Sequence, residues 1–252
     1  MVLFYTRVSG VKIMVPQRYG WQHILYLAIF LSISITGLIF AKKYAKTEKA
    51  KTWVVKGLAI ALLVAIVSNR ISIVFKTPVP EYKWLIPDSF CGLSSLVLSL
   101  AVLIGKKDNN VLHFVWLVSL AGGGITTFYP DFLGQNPSFM YLPTITGLLH
   151  HSLSALVAVS LFVFDYITLT YKKWYCVVFG FTCLITFGCF LIYVLPFHDA
   201  YSIINPVMSG TPFTVWVIAP IFFALYSTII LVVELIRKWK SKAIKQTPQP
   251  EK

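Results

Sequence analysis

The residues of this chain that could do chemistry are a cysteine, a few histidines and several charged or amide side chains, all set in apolar sequence. The Cys91 thiol could attack a carbonyl carbon if an imidazole such as His151 or His23 took up its proton. Arg70 could hold an anionic group, because a guanidinium donates paired hydrogen bonds to phosphate or carboxylate oxygens. These residue types predict either a Cys/His catalytic site or a binding site for an anionic ligand.

The candidate ligand-binding residues are polar side chains that lie within or close to apolar segments. They are Arg70, Asn69, Asp88, Asp131 and Asn205. Polar groups at such positions are costly in a bilayer, so each requires a partner or a function. For Arg70, a structural ion pair with Asp88 or Asp131 is the alternative to binding an anionic headgroup.

A stripe of small and polar residues runs along one of the apolar segments. Thr144, Gly147, His151 and Ser154 recur at intervals of three or four residues, so they share one face of a helix. Such a face packs against other helices or a cavity and not against lipid. We therefore predict that His151 points into the protein, whereas His150 lies on another face. Close packing alone is the alternative for the glycine and the hydroxyl residues.

Transmembrane helices are the elements that would position these residues. The chain has 252 residues, of which 57% are hydrophobic and 12% are charged. A soluble domain has about 25% charged residues, so this composition excludes a soluble enzyme and a nucleic-acid-binding domain. We predict an all-α membrane protein with a bundle of about seven transmembrane helices. The seven apolar segments cover residues 22–41, 53–74, 86–104, 111–128, 141–164, 174–195 and 213–236.

The distribution of basic residues predicts the orientation of these helices. With the N-terminus outside, fifteen Lys and Arg residues fall on the cytoplasmic side and five on the outer side. Because cytoplasmic loops carry the excess of basic residues, we predict an outer N-terminus and a cytoplasmic C-terminus. The predicted domains are an extracytoplasmic segment over 1–21, a single transmembrane domain over 22–237 and a basic cytoplasmic tail over 238–252. Most of the candidate residues then lie in the outer half of the membrane.

Several short motifs accompany the candidate residues. The first segment opens on His23 in Trp-Gln-His-Ile-Leu, and Cys91 lies in Leu-Ile-Pro-Asp-Ser-Phe-Cys-Gly-Leu at the start of the third. Tyr-Pro-Asp follows the fourth segment, His-His-Ser contains His151, and Asn205 precedes the last segment. With these motifs the chain resembles, over about residues 16–237, the YwaF-like integral membrane protein family, which is related to the mammalian transmembrane protein 164.

The mammalian relatives are implicated as lipid acyltransferases that use Cys and His. The resemblance therefore implies that His151 is a general base, that Cys91 or a bound water attacks the substrate, and that His23 completes the site. Two positions depart from the family pattern. Ser89 stands where the family has a histidine, and Gly92 stands where it has an aspartate.

Two functions remain open from the sequence. The first is a binding, transport or assembly component whose outward-facing polar cavity holds a lipid or a lipid-linked ligand. The alternative is a membrane-embedded Cys/His acyltransferase or hydrolase, although Asp88 occupies the position of the mammalian cysteine. The sequence has no common metal or cofactor motif, so we predict neither. Membrane lipids are the predicted partners, nucleic acid is not expected, and the bacterial plasma membrane is the predicted location.

Overall fold

A computed structural model describes residues 5–8, 11–14 and 16–246, with side chains over 16–239. Within that part the chain forms seven α-helices, each of which coincides with one predicted apolar segment. The prediction of a helical membrane protein is therefore confirmed for these residues. The helices are α1 Trp21–Tyr44, α2 Glu48–Val74, α3 Phe90–Leu103, α4 Asn110–Phe128, α5 Leu142–Val163, α6 Tyr175–Tyr193 and α7 Val215–Gln246.

Six of these helices are long and apolar enough to cross a membrane, whereas α3 has 14 residues. The chain divides into two compact units. The first unit ends at Ile167 and contains α1 to α5, and the second begins at Thr168 and contains α6 and α7. Helix α7 extends ten residues beyond the predicted end of the last segment. The last six residues of the predicted basic tail, 247–252, lie outside the described residues.

A short antiparallel hairpin precedes α1, which the all-α prediction did not anticipate. Its strands are β1 Tyr5–Val8 and β2 Val11–Met14, and Val8 pairs with Val11. The sequence does contain the signal, because β-branched residues alternate with others on both sides of a Ser-Gly pair. The apolar segments that follow are far longer and therefore dominated the prediction.

Side-chain caps explain where three of the helices begin. Thr47, Ser89 and Asn109 each accept a hydrogen bond from the backbone amide three residues further on. For α3 this corrects the predicted start at residue 86, because Pro87 to Ser89 are not helical and the helix begins at Phe90. Asp88 therefore lies before the helix and not within it. Ser89, at the position of the family histidine, is the cap.

Helix α3 runs antiparallel beside α2, and polar contacts mark both of its ends. At the start of α3, Asp88 lies 3.5 Å from an Arg70 guanidinium nitrogen. At its end, the Lys56 ammonium donates a hydrogen bond of 3.1 Å to the carbonyl oxygen of Leu103. Since α3 rises about 21 Å, it covers most of the length of α2 between these two side chains.

Ion pairs join the helix ends at the side of the first unit opposite to Arg70. Glu48 accepts hydrogen bonds from Lys107 at 2.7 Å and from Lys51 at 2.9 Å. Lys51 also lies 3.4 Å from Asp165. The starts of α2 and α4 thus meet the ends of α3 and α5, while Arg70 and its partners lie at the opposite limit of the same helices.

The second unit is organised around the connection between its two helices. The Asp199 carboxylate accepts hydrogen bonds from four backbone amides of that connection, including the amide of Asn205 at 3.0 Å. Near the end of α7, the Arg237 guanidinium donates a hydrogen bond of 2.6 Å to the carbonyl oxygen of Leu169. Hydrogen bonds therefore hold the connection between α6 and α7 at one end of the unit and the end of α7 at the other.

Candidate functional site

Arg70 forms the ion pair that was predicted for it. Its guanidinium faces Asp88, and the exposed fractions of the two side chains are 12% and 26%. Gly92 lets the residues before α3 pack closely against the helix, because a Cβ atom there would lie 3.0 Å from the Ser89 hydroxyl oxygen and 3.1 Å from the Pro87 Cβ atom. Asp131, the other predicted partner, pairs with Arg18 at 3.4 Å on an exposed surface. The Arg70–Asp88 pair is therefore confirmed and the Asp131 alternative is wrong.

Asn69 connects this ion pair to α5. Its amide nitrogen donates hydrogen bonds of 3.2 Å to the Pro143 carbonyl oxygen and to the Thr146 hydroxyl. Its amide oxygen accepts a hydrogen bond of 3.2 Å from Arg70. Because the nitrogen and the oxygen of the amide are both engaged, Asn69 positions Arg70 against the first turn of α5.

His151 is buried and forms no hydrogen bond with any residue that the structure describes. Its exposed fraction is 9%, and its Nδ1 atom is fully buried. The Phe132 ring lies 6.1 Å away, and the His150 ring lies 4.0 Å away, both measured between centroids. Arg70 lies within electrostatic range of both histidines. His151 thus presents a polar ring to the interior of the first unit, as the stripe predicted.

His150 is buried as well, but it is partly satisfied by its own helix. Its Nδ1 atom lies 3.3 Å from the Thr146 carbonyl oxygen, so this nitrogen carries the proton and donates it. The Nε2 atom is then an acceptor, and within the described residues it has no donor. Both histidines therefore leave ring nitrogens for water or a ligand.

Four buried hydroxyl groups on α3, α4 and α5 share this lack of a partner among the residues described. Their oxygen atoms are inaccessible to solvent, and no donor or acceptor reaches them. Together with the Nε2 atom of His150 and the Nδ1 atom of His151 we call these oxygen atoms the unpartnered set. The hydroxyl members are Ser95, Ser119, Thr144 and Ser154. Thr144 and Ser154 lie on the stripe of small and polar residues described for the fifth segment.

The glycine run of α4 brings these helices close together. A Cβ atom on Gly123 would lie 2.6 Å from the His151 carbonyl oxygen and 3.2 Å from the Ser154 Cβ atom. Ser119 lies one helical turn from Gly123 on α4. His151, Ser154 and Ser119 are therefore near one another in depth, where α4 and α5 pack backbone to backbone.

His23 is satisfied entirely by backbone groups. The Tyr19 amide donates a hydrogen bond of 3.2 Å to its Nδ1 atom. Its Nε2 atom lies 3.0 Å from the Thr127 carbonyl oxygen, which can only accept, so Nε2 carries the proton. In this arrangement neither nitrogen is available to take a proton from a thiol. His23 joins the start of α1 to the end of α4.

Cys91 contacts a threonine and no histidine within the described part of the chain. Its sulfur lies 3.9 Å from the Thr126 hydroxyl oxygen. Thr126 and Thr127 are adjacent on α4 and point about 100° apart around the helix axis. Cys91 thus contacts α4 through the side chain of Thr126, whereas His23 contacts it through the carbonyl oxygen of Thr127. A Cys/His centre and a single cavity for Cys91, His23 and His151 both stay predictions.

Asn205 lies in the second unit, where its side chain is exposed and its backbone amide bonds to Asp199. Its predicted part in ligand binding stays a prediction. Among the described residues, no three His, Cys, Asp or Glu side chains are close enough to hold a metal ion.

Two groups at this site escaped the sequence analysis. Phe132, in the connection between α4 and α5, stacks on His151. Its ring also packs against Gly147, where an added Cβ atom would lie 3.3 Å from the ring. Tyr26 donates a hydrogen bond of 2.9 Å to the Ser152 hydroxyl. Neither residue stands out, because single aromatic side chains are common in apolar sequence. The spacing of Tyr26 three residues after His23 was the available signal.

The fold and its buried polar side chains define a multihelical protein of the membrane type. The model of the TMEM164 family matches residues 18–237. Because this range covers most of the chain, the chain belongs to the TMEM164 family. The resemblance to transmembrane protein 164 is thereby confirmed, while the YwaF-like assignment stays a prediction. No curated protein and no solved structure matches the chain.

Proposed function

We propose that this protein binds a lipid or a lipid-linked ligand in the first unit, as a binding, transport or assembly component. The observation that carries the proposal is His151, a buried imidazole without a hydrogen-bond partner among the described residues. Buried polar groups are almost always satisfied by protein, water or a ligand. The unpartnered set supplies six such groups in helices that have no bulk water inside a bilayer.

Arg70 suits the proposed headgroup. A guanidinium binds phosphate or carboxylate oxygens with paired hydrogen bonds. Its contact with Asp88 is 3.5 Å, which is longer than a charge-assisted hydrogen bond, and both side chains remain partly exposed. An anionic group could therefore reach Arg70 without first breaking a short ion pair. Asn69 holds the guanidinium in place from the other side.

The proposed orientation places this site in the outer half of the membrane. The fifteen-to-five distribution of basic residues supports an outer N-terminus and a cytoplasmic C-terminus. Helix α3 lies along α2 from Arg70 to Lys56, which supports a seventh crossing of the membrane. The extended residues just before α3 would complete this crossing. A bacterial plasma membrane is the proposed location, since the chain is Lys-rich and its apolar segments occupy most of its length.

The experiment is native mass spectrometry of the purified protein, combined with analysis of the lipids that copurify. We expect one lipid class to be retained, and we expect His151→Ala and Ser154→Ala to lose most of it. The matched control is Ser160→Ala, because Ser160 is equally buried on α5 but donates to the Val157 carbonyl oxygen. Equal retention in all variants, or no specific lipid in the native protein, would contradict the proposal.

An acyltransferase or hydrolase is the second candidate, and two observations favour it. His151 has a ring available for proton transfer, and Gly122 leaves the space that the Cys91 thiol occupies. In this reaction the thiol loses its proton to His151 and attacks an ester carbonyl, and the lipid alcohol leaves with that proton. An acceptor hydroxyl or water then cleaves the thioester and regenerates the thiol.

The two candidates differ in whether the native protein forms an acyl adduct that Cys91→Ala removes. An acyltransferase needs the sulfur, so the variant would bind lipid normally but would form no acyl-enzyme and transfer no acyl chain. A binding protein would retain its lipid in this variant and would show no acyl adduct in the native form. Intact-protein mass spectrometry after incubation with a diacyl phospholipid separates these outcomes.

A further inference from the structure

The second unit contains a cavity that the site of the first unit does not use. Its volume is about 400 Å³, which lies within the range of small-molecule sites. Tyr171 and Trp174, in the turn just before α6, contribute aromatic rings, and α7 contributes Glu234 and Lys238. Ile230, which is 4% exposed, is an apolar and buried part of its lining. The cavity therefore combines aromatic, acidic, basic and apolar surface.

Glu234 is the unusual member of this group. The chain has nine acidic residues against 22 basic ones, and this one lies within an apolar helix that is long enough to cross a membrane. It forms an ion pair with Arg237, whose guanidinium nitrogen lies 3.7 Å from the carboxylate, beyond hydrogen-bond distance. Arg237 instead donates to the Leu169 carbonyl oxygen. Within the described residues the Glu234 carboxylate thus has no hydrogen-bond donor, and its long ion pair with Arg237 leaves the carboxylate oxygens open to a second cation.

The rings beside Glu234 suit a cation as well. Ammonium groups are attracted to the faces of tryptophan and tyrosine rings. Trp174 is held in place by an edge-to-face contact with Phe223, with 6.3 Å between the ring centroids. Trp174 and Tyr171 remain half exposed or more, so a ligand can reach both. A carboxylate beside two accessible aromatic rings is therefore a suitable site for an ammonium group.

We propose that this cavity binds the headgroup of a zwitterionic phospholipid. The ammonium group contacts Glu234 and the rings of Tyr171 and Trp174, and the phosphate group lies at Lys238. The exposed Leu231 side chain continues the lining along α7, where an acyl chain can lie against it. This headgroup site is separate from the unpartnered set, and it does not depend on the function proposed for that set.

Native mass spectrometry with three added lipids tests the headgroup site. The native protein is mixed separately with dioleoyl phosphatidylethanolamine, phosphatidylcholine and phosphatidylglycerol at equal concentrations. We expect at least one of the two zwitterionic lipids to be retained about tenfold better than phosphatidylglycerol, as for a hydrogen bond between charged groups. A preference for the ethanolamine lipid indicates hydrogen bonding to Glu234, and equal retention of both indicates the aromatic rings.

The variants assign the retained lipid to this cavity. Glu234→Gln and Trp174→Leu should each abolish the preference over phosphatidylglycerol. Trp239→Leu is the matched control, because Trp239 is an exposed tryptophan on α7 that does not line the cavity. If Glu234→Gln does not fold, Trp174→Leu decides alone. Equal retention of all three lipids by the native protein, or an unchanged preference in a folded Glu234→Gln or Trp174→Leu variant, overturns the proposal.

Discussion

Buried serine side chains in the first unit differ in whether their hydroxyl groups form a hydrogen bond with the backbone of their own helix. Ser99 on α3 and Ser160 on α5 donate to carbonyl oxygens three residues earlier. Ser95 and Ser154, on the same two helices and equally buried, donate to no described residue. Inside a bilayer no bulk water can replace such a hydrogen bond. The second pair therefore lies where the proposed ligand would supply the missing hydrogen bonds.

The Arg70–Asp88 pair leads to a prediction for single and double variants. We expect Arg70→Leu to lower the free energy of unfolding by about 1–3 kcal/mol, because it leaves a partly buried carboxylate without its partner. Adding Asp88→Asn should restore part of that loss, because the amide is neutral. Thermal unfolding in detergent measures both changes. If the two losses simply add, the two side chains do not stabilise each other.

The contact between Gly122 and Cys91 leads to a second prediction at this scale. A Cβ atom on Gly122 would lie 2.8 Å from the Cys91 sulfur but 4.0 Å from its Cβ atom. Gly122→Ala should therefore destabilise the protein by about 1 kcal/mol, as overpacking does. In a Cys91→Ala background the same change should be neutral or stabilising. A double-variant cycle of unfolding free energies measures this coupling, and equal effects in both backgrounds would disprove it.

At the scale of elements, the close approach of α4 and α5 depends on one glycine. A Cβ atom on Gly123 would meet two backbone atoms of α5, at 2.6 and 3.0 Å. Gly123→Ala should separate the helices and cost about 1–3 kcal/mol. Gly124→Ala is the matched control, because a Cβ atom there meets nothing within 4 Å and alanine favours a helix. A similar thermal stability for both variants would contradict this packing.

The elements show what the sequence could and could not predict. Apolar runs located all seven helices, because a bilayer requires about 20 apolar residues for a crossing. The start of α3 was placed too early because Ile86 continues the apolar run, although Pro87 and the capping residue Ser89 are local signals for a helix that begins at Phe90. Stripe spacing predicted that His151 is buried. It could not show that backbone groups satisfy His23 or that Phe132 covers His151.

At the scale of the whole molecule, the orientation is the prediction on which the location of the site depends. Lys46 and Lys76 lie just beyond the two ends of α2, and both are exposed. On intact cells, a Lys76→Cys variant should react with a membrane-impermeant thiol reagent, whereas Lys46→Cys should react only after permeabilisation. The native protein is the control, since its four cysteines lie within helices. The reverse pattern would move Arg70 and His151 to the cytoplasmic half.

The 14 residues of α3 have a consequence for how the nascent chain enters the membrane. A helix this short does not cover the hydrocarbon layer, and Asp88 directly before it resists leaving water. Transfer of Arg70, near the end of α2, from water into lipid is equally unfavourable. When the two side chains pair, their charges neutralise each other. The translocon should therefore release α2 and α3 into lipid as one hairpin. A ribosome that stalls between the two helices would leave Arg70 without its counterion, and the chain would wait at the channel until α3 emerged.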